Sequence, residues 1–252
     1  MKNKKEFRIA GLTFGQEAVQ GKSNEIPATQ RLIKMLNIKG CVVVADALNC
    51  QKETAKAIIS QEADYLLSVK DNHPTLHENI LEYVQDAELQ GTMHKHFSLE
   101  KSRERIEKRT AYVSNDVDWL KSDHNWAELC CLGAIHKVTT TSKTTSSEWH
   151  YYISSKEMTP ENLLLHARNE WSVETMHWLL DVHFNEDSCR IQEEAVLQEE
   201  AVQKILNIIR KIVLNAIRNY QLQLPKKRAC SHVMLDCLID PLFIYTVCNC
   251  QN

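Results

Sequence analysis

No stretch of the 252-residue sequence approaches the roughly 20 consecutive apolar residues that a helix needs to cross a bilayer. The opening, Met1 to Phe7, is charged and leads into no apolar segment, so no signal peptide is expected and a cytoplasmic location is the default expectation. Glycine is scarce, at 6 residues, and no phosphate-cradling glycine loop or dinucleotide-binding glycine turn occurs. A nucleophile elbow and a His-Glu-x-x-His metal motif are missing too. These absences remove the commonest nucleotide-binding, serine-hydrolase and zinc-protease readings.

Paired cysteines at metal spacing are also lacking. The 9 cysteines are scattered, and no two stand as C-x-x-C, the spacing that sets two thiolates on one tetrahedral zinc. In a chain of this length they read as free thiols in a reducing compartment. Net charge is −3, which by itself argues weakly against a surface coated in nucleic acid. Local basic stretches do exist, at Lys101 to Arg109 and Pro225-Lys226-Lys227-Arg228, and each reads either as a solvated face or as a phosphate contact.

What is present is a strand–helix alternation in the first half. Leu12 to Val19 is strand-like, and Ser23 caps a helix with Pro27 in its first turn and Leu32, Ile33 and Leu36 along it. Gly40 to Asp46 is a short β-branched apolar run that predicts a buried central strand with an acid at its C-terminal end. A helix over Gln51 to Gln61, a buried strand over Ala63 to Val69 and a helix over His73 to Glu88 follow, implying parallel strands in a layered sheet. The middle, Phe97 to Val113 and Leu129 to Ser154, is rich in Thr, Val and Tyr and predicts antiparallel hairpins. From Thr159 the pattern is helical. One helix turns Leu163, Leu164, Ala167 and Trp171 inward; a long one, Glu193 to Tyr220, is expected to bury Ile205, Ile208, Ile209, Ile212, Val213 and Ile217. The last twenty-odd residues show no clear period.

Two acids stand out by position. Asp46 ends a strand, where open α/β sheets place their ligand sites, and it either binds a hard cation or caps the next helix. Glu174 lies in an apolar helical stretch between Trp171 and Trp178, with His177 and Asp181 near in helical spacing. Such an acid is costly unless paired, for example with Arg168 or Lys70, or bound to metal. A few carboxylates suffice to hold magnesium, and two such ions can drive phosphodiester chemistry.

Several segments together resemble the H-repeat-associated insertion-sequence transposases of bacteria. They are Lys22 to Ile26, Val44 to Ala47 with Gln51-Lys52, Ala63 to Lys70 with Asn72, Arg105 to Glu107 and Asp116 to Leu120. Tyr151 to Ser155, the Glu174 segment and Phe184 to Arg190 complete the set, and the resemblance runs from about Gly15 to Tyr220. It implies an α/β fold: a ribonuclease H-like catalytic core, a mixed sheet flanked by helices, with a β-rich insertion and C-terminal helices. On that scheme residues 1–92 are the α/β core, 93–157 the insertion, 158–222 the helical part of the core with the third acid, and 223–252 a tail. The resemblance further implies a DDE site with Asp46 as second and Glu174 as third acid and metal ligand, Mg²⁺ (or Mn²⁺) as cofactor, and Lys70, Arg168 and Arg190 near DNA or the carboxylates. Insertion-sequence ends and target DNA are the implied partners, with a homodimer or a full-length transposase besides, and no membrane. In the family the first acid lies in an upstream Asp-Gly-Lys motif; here Asp46 is the first Asp, preceded only by Glu6, Glu17 and Glu25. The expectation is therefore an N-terminally truncated transposase, inactive or impaired, whose alternatives are a non-catalytic binder of DNA or full-length transposase, or a relic without function.

Overall fold

The computed structural model describes residues 12–15, 25–102, 105–170, 172–185, 197–226 and 228–249. The chain divides into two compact units: residues 19–170, and residues 1–18 together with 171–252. The division falls at 170/171, inside the segment 158–222 that the sequence reading groups as one helical part of the core.

The first unit is built on one six-stranded sheet: β1 (Val42–Ala45), β2 (Asp64–Val69), β3 (His94–Ser102), β4 (Arg105–Ser114), β5 (Cys131–Thr140) and β6 (Thr145–Ser154). Their order across the sheet is β1-β2-β6-β5-β4-β3. β1 and β2 are parallel, and every other pair is antiparallel, so the sheet is mixed. The antiparallel strands do not stand apart: β6 pairs directly with β2, Leu66 opposite Ser154 and Val69 opposite Tyr151.

Helices α1 (Glu25–Met35), α2 (Lys52–Ile59), α3 (Pro74–Gln85), α4 (Ala87–Thr92), α5 (Asp118–His124) and α6 (Pro160–Glu170) complete the unit. Strand alternation sorts β2 between two cores. Tyr65, Leu67 and Val69 join Ile58, Leu76, Ile80 and Leu120 from the helices on one face. Leu66 faces the other way, into a core with Leu163, Leu164 and Ala167 of α6. Helix α3 stops sooner than the sequence pattern suggests because Asp86 turns out of the helix and its carboxylate caps α4, accepting from the N–H groups of Glu88 and Leu89 at 2.9 Å each. Pro27 and Pro74 occupy first turns, where a missing N–H costs nothing.

One expectation is corrected here. β1 is half-buried rather than buried, and among the described residues it pairs on one side only, so it is an edge strand and not a central one. A β-branched run reads the same in either place, because both need the same pleated backbone.

The second unit consists of α7 (Ser172–Phe184), α8 (Leu197–Gln223), α9 (Cys230–Ile239) and α10 (Phe243–Cys248). Its core holds Leu180, Leu214, Ile217, Val233 and Val247. Two expectations fail in this unit. Of the apolar stripe assigned to the buried face of α8, only Ile217 is buried; Ile205, Ile208, Ile209, Ile212 and Val213 are exposed, Ile212 by 60%. Periodicity fixes a helix and its apolar side but does not say what covers that side. Of the strand expected over Leu12 to Val19, residues 16–19 lie outside the described residues, and Leu12 to Gly15 is not a strand: the Thr13 N–H donates to Asn215 Oδ1 at 2.8 Å and Asn215 Nδ2 donates to the Thr13 carbonyl at 2.7 Å, so a side-chain amide on α8 takes the place of a strand partner. Among the described residues no helix is long and apolar enough to cross a membrane.

Candidate active site

Parallel strands end on the same edge, so β1 and β2 deliver Asp46 and Lys70 to one side of the sheet. Asp46 is exposed there, the first residue after β1. Its Oδ1 accepts two hydrogen bonds from Asn49, one from the backbone N–H at 3.1 Å and one from Nδ2 at 3.0 Å. Both end on the same oxygen, and among the described residues no donor reaches Oδ2. Asp46 therefore does not cap the next helix: it closes the turn 46–49, and the N-cap of α2 is Gln51.

The turn after β2 is sewn to the turn after β1. Asn72 Nδ2 donates to the Ala47 carbonyl, and His73 Nε2 donates to the Cys50 carbonyl at 2.6 Å. His73 also sets its ring edge-on against Trp126, 5.4 Å between centroids. The adjacent His77 pairs with Asp71 at 3.3 Å. These bonds hold the Asp46 turn from its far side, and a polar loop so tied is a rigid mount for a carboxylate. Burial, helped by the Asp46 carboxylate, pushes the Cys50 thiol up to about 12, so it stays protonated behind the acid. His150 on β6 is held below its ordinary value by burial, with Glu148 opposing and the Lys137 and Lys70 charges assisting.

Fit to a divalent cation is partial. The free oxygen of an exposed carboxylate is a suitable hard ligand. Among the described residues, however, no three His, Cys, Asp or Glu side chains gather to complete a shell. Asn49 fixes Asp46 at a cost: with Nδ2 committed to the carboxylate, Asn49 Oδ1 is buried without a partner.

Lys70 is exposed at the Asp46 edge. Arg168, on α6, reaches across to Glu100 of β3 and forms an ion pair there, with neither Asp46 nor a second acid of that edge as its partner. Glu174 belongs to α7, in the second unit, and its side chain lies outside the described residues, as do Trp171 and Arg190. The residues that sequence reasoning does not single out are Asn49 as the bonded partner of Asp46, and His73; a polar side chain three residues after a strand-end acid is the signal for the first.

Comparisons with known proteins identify a family for the chain. The transposase DDE domain model matches residues 10–209. The chain is 34% identical over 215 residues to YbfL of Escherichia coli K12, a match covering 82% of this chain and 55% of that protein. The H repeat-associated protein YhhI of the same strain matches equally, at 34% over 215 residues, 82% of this chain and 55% of its own. YbfD, also H repeat-associated, is 39% identical over 110 residues, 43% of this chain and 44% of its own length. The chain thus spans about half the length of the curated relatives it matches. No solved structure matches it. A mixed six-stranded sheet with helices on its faces, an acid at the end of a parallel strand and the family match over residues 10–209 lead to one statement: this chain belongs to the DDE transposase family.

Proposed function

We propose that the chain carries the second and third acids, Asp46 and Glu174, of a DDE transposase that cuts and joins DNA strands with Mg²⁺ (or Mn²⁺ in its place). The observation that carries this reading is the placement of Asp46: exposed at the carboxyl edge of the parallel pair, with one oxygen anchored by Asn49 and the other turned to no protein donor among the described residues. Divalent metal held by such acids activates the attacking oxygen and stabilises the leaving one. In that scheme Asn49 orients the Asp46 carboxylate, and Asn72 and His73 keep its turn from moving when the opposite oxygen takes up a ligand. Lys70 adds positive charge at the same edge, where a phosphodiester would lie. Arg168 and Arg190 are further proposed DNA contacts, although Arg168 must first leave Glu100.

Within these 252 residues no Asp precedes Asp46 and no Asp-Gly-Lys motif occurs, so these residues hold two of the three proposed acids and are expected, by themselves, to be inactive or impaired. A two-metal site deprived of one bridging carboxylate loses charge that both ions need. The proposed partners are element ends and target DNA, in the cytoplasm. A test follows directly: metal-dependent nicking of DNA by the chain joined to a relative's segment bearing the Asp-Gly-Lys motif, with Asp46→Ala and Glu174→Ala beside it. Nicking that survives both substitutions rejects the assignment.

A second reading is a non-catalytic chain that pairs with full-length transposase or occupies its DNA. The side of β1 that has no strand partner among the described residues supports it, because Val42–Ala45 offers a row of backbone groups there to a further strand. Full-length transposase activity unchanged by an excess of this chain excludes that reading.

A further inference from the structure

The basic run Lys101 to Arg109 divides by strand parity, and the two halves differ in kind. On the face that meets α6, Arg105 and Arg109 pair with Glu107, Arg109 also reaches Glu100 at 3.3 Å, and Lys137 holds Glu148 at 2.5 Å. That face is internally neutralised. On the opposite face register sets Phe97, Thr110, His136 and Trp149 in one row. Leu99, Lys108, Val138 and Ser147 form the next row, and Lys101 with Ile106 begins the one beyond. Lys95 opens the row before, beside Tyr112. Among the described residues in these four rows there is no Asp or Glu, and none of the three lysines is in an ion pair.

The same face carries aromatic surface in line. Trp149 stacks on His136, 4.4 Å between centroids and 13° apart, and lies parallel to Tyr151 at 6.2 Å. Phe97 is 62% exposed and Leu99 64%, and Lys108 Nζ stands 5.6 Å above the Phe97 ring. Toward β2 this face is covered by helices, whereas outward it is open, although it is too apolar to be an ordinary solvated surface.

We infer that the open face of the β3–β6 sheet, with Lys95, Lys101 and Lys108 around the exposed Phe97, binds a DNA strand with unpaired bases. Charge selects the polyanion: three cations stand over about 20 Å of β3 and β4 with no acid among them. The exposed Phe97 ring selects unpaired bases, since a base in a duplex offers no face to stack on, whereas each unpaired base does; Trp149, half-buried between His136 and Tyr151, backs that surface. The choice of DNA over RNA rests on the DDE reading; the face and its chemistry do not. The site is distinct from the Asp46 edge, and it supplies grip on a strand rather than chemistry.

The test is fluorescence anisotropy of the full chain with a labelled mixed-sequence single strand of about 20 nucleotides, in EDTA so that no cleavage contributes. The triple variant K95Q/K101Q/K108Q is expected to bind about tenfold more weakly or worse, with the log–log salt slope reduced by about 2. Phe97→Ser is expected to lose about fivefold with little change in slope. A matched triple on the helical side, K34Q/K39Q/K56Q, is expected to stay within about twofold. Circular dichroism and urea unfolding establish that each variant is folded; if the triple is not, Lys108→Gln alone replaces it, with a slope change of about 0.7. Wild-type protein that does not bind, face variants that bind as wild type does, a control triple that weakens equally, or a duplex held as tightly as the strand would each overturn the inference. Absence of nicking in metal bears only on the Asp46 and Glu174 assignment.

Discussion

Asn49 donates twice to one oxygen of Asp46, from its backbone and from its side chain, at 3.1 and 3.0 Å. A carboxylate at the end of a strand thereby has a structural duty on one oxygen and an open position on the other, and the two roles separate by mutation. Asp46→Ala removes both bonds and is expected to cost about 1 kcal/mol in urea unfolding. Asp46→Asn keeps an accepting oxygen for both donors, so its stability should lie within about 0.5 kcal/mol of wild type. A chain completed with the first acid should lose metal-dependent cleavage in both variants. Cleavage retained by the Asn variant would make Asp46 a turn residue only.

Gly133 lies where β5 passes beneath α6. A Cβ there would meet Leu163 Cδ2 at 2.7 Å, and Leu163 is fully buried. Gly133→Ala is therefore expected to destabilise the first unit by about 1–3 kcal/mol through overpacking. In a double-mutant cycle, Leu163→Ala should offset most of that clash, a coupling of the kind that neighbouring residues show. Additive effects of the two substitutions would rule out this contact as the reason for glycine.

Thr13 is held by the amide of Asn215 as a strand neighbour would hold it, through one bond in each direction. The Thr13 hydroxyl also donates to Met176 Sδ at 3.0 Å. Asn215→Ala leaves two part-buried backbone groups without partners and should lower the stability of the α7–α10 unit by about 1–3 kcal/mol. Limited proteolysis should then cut near residues 12–15 sooner than in wild type. Equal cutting in both proteins would mean that the pair does not anchor this segment.

Burial lowers the affinity for protons of His124, His136 and His150 below the ordinary imidazole value. The unfolded chain therefore takes up protons on these rings at a higher pH than the folded one does. Stability is fully present above the unfolded value of about 6.5 and falls as pH drops from there toward the folded values. The urea midpoint should decline between pH 7.5 and 5.5, before carboxylates enter, and His150→Gln should flatten that decline. A midpoint that rises over this interval would contradict the burial of these rings.

Much of the first unit was legible because its signals are local. β-branched runs mark β1 and β2, Thr/Val/Tyr-rich stretches mark the hairpins, and Thr159-Pro160 marks the start of α6 with Leu163, Leu164 and Ala167 inward. The edge position of β1 was not legible, since strand neighbours are a long-range property that no run of valines encodes. The same limit explains α8: Ile205, Ile208, Ile209, Ile212 and Val213 are exposed in the described structure, and of the expected stripe only Ile217, on the Leu214 side, is buried. At the candidate site, Asp46 stands out by its place at a strand end, but the bonds from Asn49 and the pairing of Arg168 with Glu100 depend on turn geometry and on strand register. The division of the basic run 101–109 into a paired face and an open face depends on that register as well, because parity alone does not say which face is covered.

The most direct measurement of the central claim joins this chain to the segment of a full-length relative that bears the Asp-Gly-Lys motif and follows nicking of element-end DNA in Mg²⁺ or Mn²⁺. The account predicts no nicking by the chain alone, metal-dependent nicking by the joined protein, and loss of roughly a thousandfold or more on Asp46→Ala or Glu174→Ala, as expected when a metal-bridging carboxylate is removed. Nicking that persists in both variants, or that the unjoined chain performs as well as the joined one, would contradict it.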